Sequence, residues 1–435
     1  MTLRKRRQLM YAFTAVFFAL GITLVLYVQG WRLDFEHLRF TKVGAIFIRS
    51  FPENAQIFLD ETSVKNRSGF FQSGTLVGDL FPKNYTLSLK ADGYKNWRGS
   101  IGVSPTLVTE VKNAVLVPEH AEIAATSTSN FWILPENILR QKINGELFLG
   151  EQKIGRGEAI AWTEDASRIL LKNERGEYLW YSPDKNVLLN VSVALREMGF
   201  LWNAKVAVDQ YDRRHLIVGG PREIYLFDTE RVSATRIAQA GNFQFGDGVA
   251  TSRSYIAWSK WNERTDASTL TVYDKSLERI QKESPALEGR SLNLVWLDDN
   301  SLMALQENGV LYLFDRKDGS LRKFADEVRV FVPSGDGASI AAIKNDSLEM
   351  SALDGKNYYR FNLPNIGEVR DVIWYKDMSH LFLVYADKTT FLDLNDNPLL
   401  NVIEAADSGN VKYGTAKNSL YFLSGSELFS LKFPD

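Results

Sequence analysis

"VWLDDNSLMALQENGVLYLFD", Val295 to Asp315, holds two patterns that recur along the chain. In the first, an apolar or aromatic strand end is followed by Asp, a turn of small residues and an apolar strand. It returns as "AWTEDASRILL" from Ala161, "FVPSGDGASIAAI" from Phe331 and "IWYKDMSHLFLV" from Ile373. In the second, a short apolar strand ends on Asp. It returns as "IYLFD" at Asp228, "LTVYD" at Asp274, "LYLFD" at Asp315, "SALD" at Asp354 and "TFLD" at Asp393.

These five Asp lie 46, 41, 39 and 39 residues apart. One step back reaches Ser182 in "LWYSPDKN", and one step forward reaches Phe433. A period near 40 residues with several strands per unit marks a β-propeller. Seven signatures imply seven blades over 130–435. "NFWILPENILRQKINGELFLGE", Asn130 to Glu151, reads as strands that complete the last blade and close the ring. The units resemble the Asp-containing repeats of TolB-like and WD-type propellers, without the Gly-His and terminal Trp-Asp pairs of strict WD repeats. Their regular spacing assigns the Asp residues to blade turns.

At the other end, "MYAFTAVFFALGITLVLYV", Met10 to Val28, carries no charge. As a helix it is about 28 Å long, enough to span a bilayer core. Tyr11, Tyr27 and Trp31 stand where aromatic rings favour the interface, and Arg4, Lys5, Arg6 and Arg7 precede the run. The apolar run is longer than a signal-peptide core, and no A-x-A-like site follows it. The sequence therefore predicts a cytoplasmic basic tip at 1–8, an uncleaved membrane helix at 9–29 and the bulk of the chain outside the cytoplasm.

Between these parts, "GAIFIRSFPENAQIFLD", Gly44 to Asp60, reads as two strands paired through a Pro-Glu-Asn-Ala turn, with Asn54 in the left-handed region. "PKNYTLSL" from Pro82 and "GYKNW" from Gly93 follow, and then a Val-rich strand ends at Pro118. This order resembles the PEGA domain, over 43–118. Asn54 and Asn84 stand where the pattern has Gly. The resemblance implies a small β-sandwich, an envelope module without known chemistry. The small polar stretch 119–129 reads as a linker.

Composition narrows the function. The chain has 435 residues and a net charge of −2, and without the four basic residues of the tip the remainder carries about −6. Such a body does not suit nucleic acid as a partner. The absence of Cys removes disulfides, thiol catalysis and cysteine metal sites. The four His, at 37, 120, 215 and 380, form no metal-ligand spacing with one another. No nucleophile elbow, zinc motif or phosphate loop stands in a usable context. The least regular spot is "WSKWNERTDAST", Trp258 to Thr269, which reads as a polar insertion. Its Trp261, Asn262 and Arg264 form the candidate binding loop.

The sequence thus predicts an all-β chain behind one membrane helix. It reads as a membrane-anchored envelope protein whose propeller is a binding or scaffolding surface, with the PEGA-like domain as spacer or contact to wall or surface layer. The expected partners are the membrane through Met10–Val28, and an envelope protein or wall polysaccharide. No cofactor, metal or catalytic residue is expected. The alternative is a carbohydrate-active enzyme with its site in the propeller channel.

Overall fold

A computed structural model describes every residue except 1–2, 35–37, 69–72, 201–203, 221, 240–243, 346, 354–357, 364–367 and 395–401. Helix α1 (Leu3–Val28) is long and apolar enough to cross a membrane, and its apolar side chains are bare, Phe17 at 73% exposure. A hairpin follows, β1 (Trp31–Asp34) with β2 (Arg39–Lys42).

Seven strands then build a two-layer sandwich. They are β3 (Gly44–Phe51), β4 (Gln56–Leu59), β5 (Thr62–Val64), β6 (Thr75–Leu80), β7 (Asn84–Lys90), β8 (Trp97–Gly102) and β9 (Val108–Val115). One sheet has the order β6-β3-β9 and the other β5-β4-β7-β8. Every second residue of β3 faces the core, so Ile46 and Ile48 meet Ile57, Leu87 and Leu89, all at most 1% exposed. Each such side chain contributes about 1.5–3 kcal/mol of burial.

The Pro-Glu-Asn-Ala turn differs from expectation in two ways. It does not join a hairpin, because both edges of β3 are taken by β6 and β9, and the chain crosses to the facing sheet instead. Asn54 is also not left-handed: Ala55 N–H closes the turn onto Pro52 O (3.3 Å), and positive φ falls later, at Asp60 and Glu61. Asn84 likewise has ordinary φ and opens β7.

From residue 122 onward the described strands form eight antiparallel sheets, one more than the seven expected, each four-stranded except that of blade 4, where Leu287–Glu288 adds a fifth strand. Blades 1 to 7 span 128–156, 158–190, 205–239, 244–283, 291–325, 330–362 and 371–406. Blade 8 takes three strands from 411–432, and its outer strand is β10 (Glu122–Ala125), paired with Glu427–Lys432. The segment read as a linker therefore holds the closing strand, and 130–151 belongs to a blade of its own. In blade 1 the third strand ends on Leu149-Gly150, with Gly150 at φ 58°, where blades 3, 4, 5 and 7 carry Asp, and the series of some 40 residues stops short of it at Ser182 of blade 2.

The second strand of each blade explains the ring. In blade 2, Ile169 and Leu171 pack towards blade 1 while Leu170 packs towards blade 3. In blade 7, Leu381 and Leu383 face blade 6 while Phe382 and Val384 face blade 8. Side chains alternate between two neighbours, so in blades 2 and 7 both faces of this strand carry apolar residues. All eight gaps between blades hold such a cluster, including the closing one, where Phe131 of blade 1 meets Tyr421 and Leu428 of blade 8. Closure leaves only short edges, those of the outermost and innermost strands of each blade. Helix α2 (Val191–Glu197) lies between blades 2 and 3, with Asn190 Oδ1 accepting from Val193 N–H.

The sandwich is docked onto the ring. Phe51, Val115 and Val117 enter the cluster between blades 7 and 8, and Ile403 of blade 7 packs against the sandwich core. Lys95 Nζ donates to Glu404 O (2.7 Å) and Trp97 Nε1 to Asp393 Oδ2 (3.2 Å).

Candidate functional site

Antiparallel succession puts the first-to-second strand turn of every blade and the third-to-fourth turn of blades 1 to 7 on one face, and the second-to-third turns on the other. The recurrent Asp residues serve the first of these faces. Asp228 Oδ1 accepts from the N–H groups of Glu230 and Arg231, Asp274 Oδ1 from Ser276 and Leu277, and Asp315 Oδ1 from Lys317. They hold the turns that lead into the outer strands. Asp298, after the first strand of blade 5, does the same for Asn300 and Ser301. Asp354 and most of the "DLNDN" run lie outside the described residues.

Three first strands end on Trp at this face: Trp162 in blade 2, Trp296 in blade 5 and Trp374 in blade 7. Trp296 Nε1 donates to Ala250 O of blade 4 (3.3 Å), and Trp374 Nε1 donates to Val332 O of blade 6 (3.1 Å). Each indole stitches its blade to the one before. Trp162 makes no such bond among the described residues and stands half-buried. At that place a hollow of about 330 Å³ opens across blades 8, 1 and 2. Ile133, Pro135, Trp162 and Tyr413 give it apolar and aromatic walls, and Glu136 and Lys417 stand at its lip, exposed. Gly414 keeps the floor thin, since a Cβ there would stand 3.2 Å from the Tyr421 ring and 3.3 Å from Ile133.

The same blade 2 turn borders a second hollow, about 360 Å³, shared with the turns of blades 3 and 4 and lined by Glu164, Asp165, Tyr211, Arg213 and Arg253. Its charges are paired, Arg213 with Asp165 and Arg253 with Glu164. Burial works to raise the pKa of Asp165, but Ser167 N–H, the Thr163 hydroxyl and Arg213 outweigh it and hold the group at about 2. Beneath lies Asp209, 2% exposed, whose pKa burial raises although Lys275 Nζ sits 2.6 Å away. One face thus sets an aromatic hollow beside a charged one.

Two of the four His form a matched pair that spacing among His alone does not reveal. Asp212-x-x-His215 in blade 3 and Asp377-x-x-His380 in blade 7 lie four blades apart in a ring of eight, hence on opposite sides. Each Nδ1 is 2.8 Å from its Asp, and each ring lies near the Asp that ends the neighbouring strand, Asp228 at 4.0 Å and Asp393 at 3.7 Å. Burial alone would lower the pKa of His380, but Asp377 and Asp393 outweigh it and raise it to about 9. That of His215 is raised mainly by Asp212. The legible signal was Asp-x-x-His with a further Asp thirteen residues on.

The candidate loop lies elsewhere. Trp261 and Asn262 end the second strand of blade 4, which pairs over its full length with Ala267–Asp274, so the polar residues lengthen a hairpin. Trp261 is half-buried; its Nε1 donates to Asp266 Oδ1 (3.3 Å), and Arg290 lies over its ring. Asn262 Oδ1 accepts from Arg264 N–H within the turn. This second-to-third turn is on the face opposite the aromatic hollow, and the structure does not bring the three residues to it.

No family model and no curated protein sequence matches the chain. Solved structures do. Dipeptidyl peptidase 4 of Porphyromonas gingivalis superposes with a TM-score of 0.51 at 11% identity, over 72% of this chain and 60% of that one. An oligogalacturonate lyase in complex with manganese follows at 0.47 and 8%, over 73% and 98%. The β-propeller domain of Cps50 (Swd1) from Myceliophteria thermophila gives 0.43 and 10%, over 61% and 96%. At these identities the likeness is one of fold, and the fold is the β-propeller.

Proposed function

We propose that the chain is a single-pass protein of the cell envelope, with its basic tip in the cytoplasm, Met10–Val28 across the membrane and its propeller outside, where the ring is a binding platform for another envelope component. The PEGA-like sandwich, spanning 43–118, acts as the spacer that seats the ring. The carrying observation is Trp162. Its counterparts Trp296 and Trp374 spend their indole N–H on the preceding blade, whereas Trp162 keeps an aromatic face and a donor at an open hollow. Half-buried aromatic anchors in pockets are where binding energy concentrates. The charged hollow beside it suits an extended protein segment that places an apolar side chain against Trp162 and polar residues over Glu164 and Arg253. The basic tip supports the orientation.

A photo-crosslinking residue at Ala416, on the rim of the aromatic hollow, tests this in intact cells. A discrete adduct that disappears with Trp162→Ala supports the reading, and an adduct with wall glycan would redirect it to polysaccharide. Adducts indifferent to Trp162 would remove the hollow as the site. Protease added outside cells without an outer barrier should digest the propeller and spare an N-terminal tag.

A further inference from the structure

The β1–β2 hairpin has two unlike faces. Trp31, Leu33, Phe40 and Lys42 share one face, since Trp31 pairs with Lys42 and Leu33 with Phe40 across the strands. Arg32, Asp34, Arg39 and Thr41 share the other. The second face looks to the protein: Arg32 bridges to Asp79 of β6 (2.6 Å), and Asp34 is buried. On the first, Trp31 and Lys42 are half-buried but Leu33, at 36%, and Phe40, at 62%, are exposed, and Leu38 in the turn is 82% exposed. Leu107 and Val108, also exposed, lie at the same end of the sandwich, where Thr106 N–H bonds Val43 O and Val43 N–H bonds Gly30 O.

A two-stranded ribbon with an uncovered apolar face is marginal in water. What lies next to it names the cover. The ribbon begins three residues after α1 ends and is tied to it: Arg32 Nη1 donates to Tyr27 O (2.8 Å), and its guanidinium lies 3.7 Å from the centre of the Tyr27 ring. Lys42 sits over Trp31 at 5.3 Å. Aromatic rings and cations beside exposed Leu and Phe, directly at the end of a membrane helix, form the composition that settles at a bilayer interface.

We infer that the β1–β2 hairpin is a membrane-interface foot: its Trp31–Leu33–Phe40 face and Leu38 lie in the headgroup region of the bilayer that α1 crosses. The inference rests on the anchor reading above. With the other face bridged to β6, the foot holds the sandwich, and through it the ring, at a set height and tilt instead of on a free tether.

The chain has no Cys, so one introduced Cys takes one label. Full-length protein in vesicles of zwitterionic and anionic phospholipid would carry an environment-sensitive fluorophore at Phe40→Cys, at Leu38→Cys, at Phe17→Cys within α1 and at Ala416→Cys on the propeller. The labels at 38 and 40 should be blue-shifted and lose intensity when lipids carry a shallow quencher, while the one at 416 stays in water. A label at 40 as wet as that at 416, with 17 quenched, overturns the foot and leaves the anchor standing. A dry label at 40 that lipid quenchers do not reach also overturns it, since protein then covers the face. An unquenched label at 17 defeats the anchor reading, and the foot with it. All four positions are exposed, so the labelled proteins should keep the fold.

Discussion

Trp97 of the sandwich and Asp393 of blade 7, 296 residues apart in sequence, meet in a buried hydrogen bond of 3.2 Å. At the matching place in blade 3, Asp228 is held by Arg214, the residue before His215. In blade 7 the residue before His380 is Ser379, and the indole of Trp97 arrives from another domain. A side chain of the sandwich core therefore also fixes the sandwich on the ring.

This joint makes the two domains one stability unit. Trp97→Phe keeps the ring and removes the donor, so it should cost about 1.5–3 kcal/mol, the net worth of a hydrogen bond to a charged group. A fragment of residues 125–435 would hold blades 1 to 7 whole. That fragment lacks most of β10 and the cover given by Phe51, Val115 and Val117. It should aggregate or melt well below a 43–435 fragment in calorimetry. Equal melting would separate the domains again.

The His pair makes stability fall on the alkaline side. The pKa of His380 is raised above its unfolded value, so its contribution is fully present below about pH 6.5 and is lost as pH rises through about 9. His215 is shifted the same way. Urea midpoints should decline from pH 6.5 to 9.5. His380→Gln should lower the midpoint at pH 6.5 and flatten that decline, and His215→Gln should do so less, since His215 is part-exposed. An unchanged slope in the double variant would show that neither imidazole is charged in the fold.

The three Trp at first-strand ends should respond differently to loss of the indole N–H. Trp296→Phe and Trp374→Phe each break a bond to the preceding blade and should destabilise by about 1 kcal/mol or more. Trp162→Phe breaks none and should stay within about 0.5 kcal/mol. Chemical denaturation of the three variants decides it, and a cost at 162 equal to the others would mean that its donor is already used.

In the opening turn of the sandwich, Asn54 is exposed with ordinary φ, so Asn54→Val should change stability by no more than about 0.5 kcal/mol. Gly409→Ala should cost more than about 1–3 kcal/mol, because its Cβ would stand 2.2 Å from Tyr385 O and 2.4 Å from Ala386 O. Thermal melts of both variants provide the contrast.

The sequence by itself determined the elements whose cause is local. An uncharged apolar run forms α1, and apolar runs followed by Asp turns form strand after strand, because periodicity and turn chemistry act within a few residues. At Gly150 no Asp marks the strand end and the blade is not legible as a repeat, and at Glu122–Ala125 a strand without a turn signal of its own reads as a linker. The tertiary structure alone decided which edges pair. The three strands at the C-terminal end of blade 8 take β10 as a fourth because an unpaired edge at the seam would leave backbone donors and acceptors bare. The tertiary structure also set the Pro52 turn across two sheets, carried Trp97 to Asp393, and left Trp162 without the carbonyl its counterparts reach. Each depends on how eight blades close into one ring, and that angle is a property of all their packed side chains together, held in no single stretch of the chain.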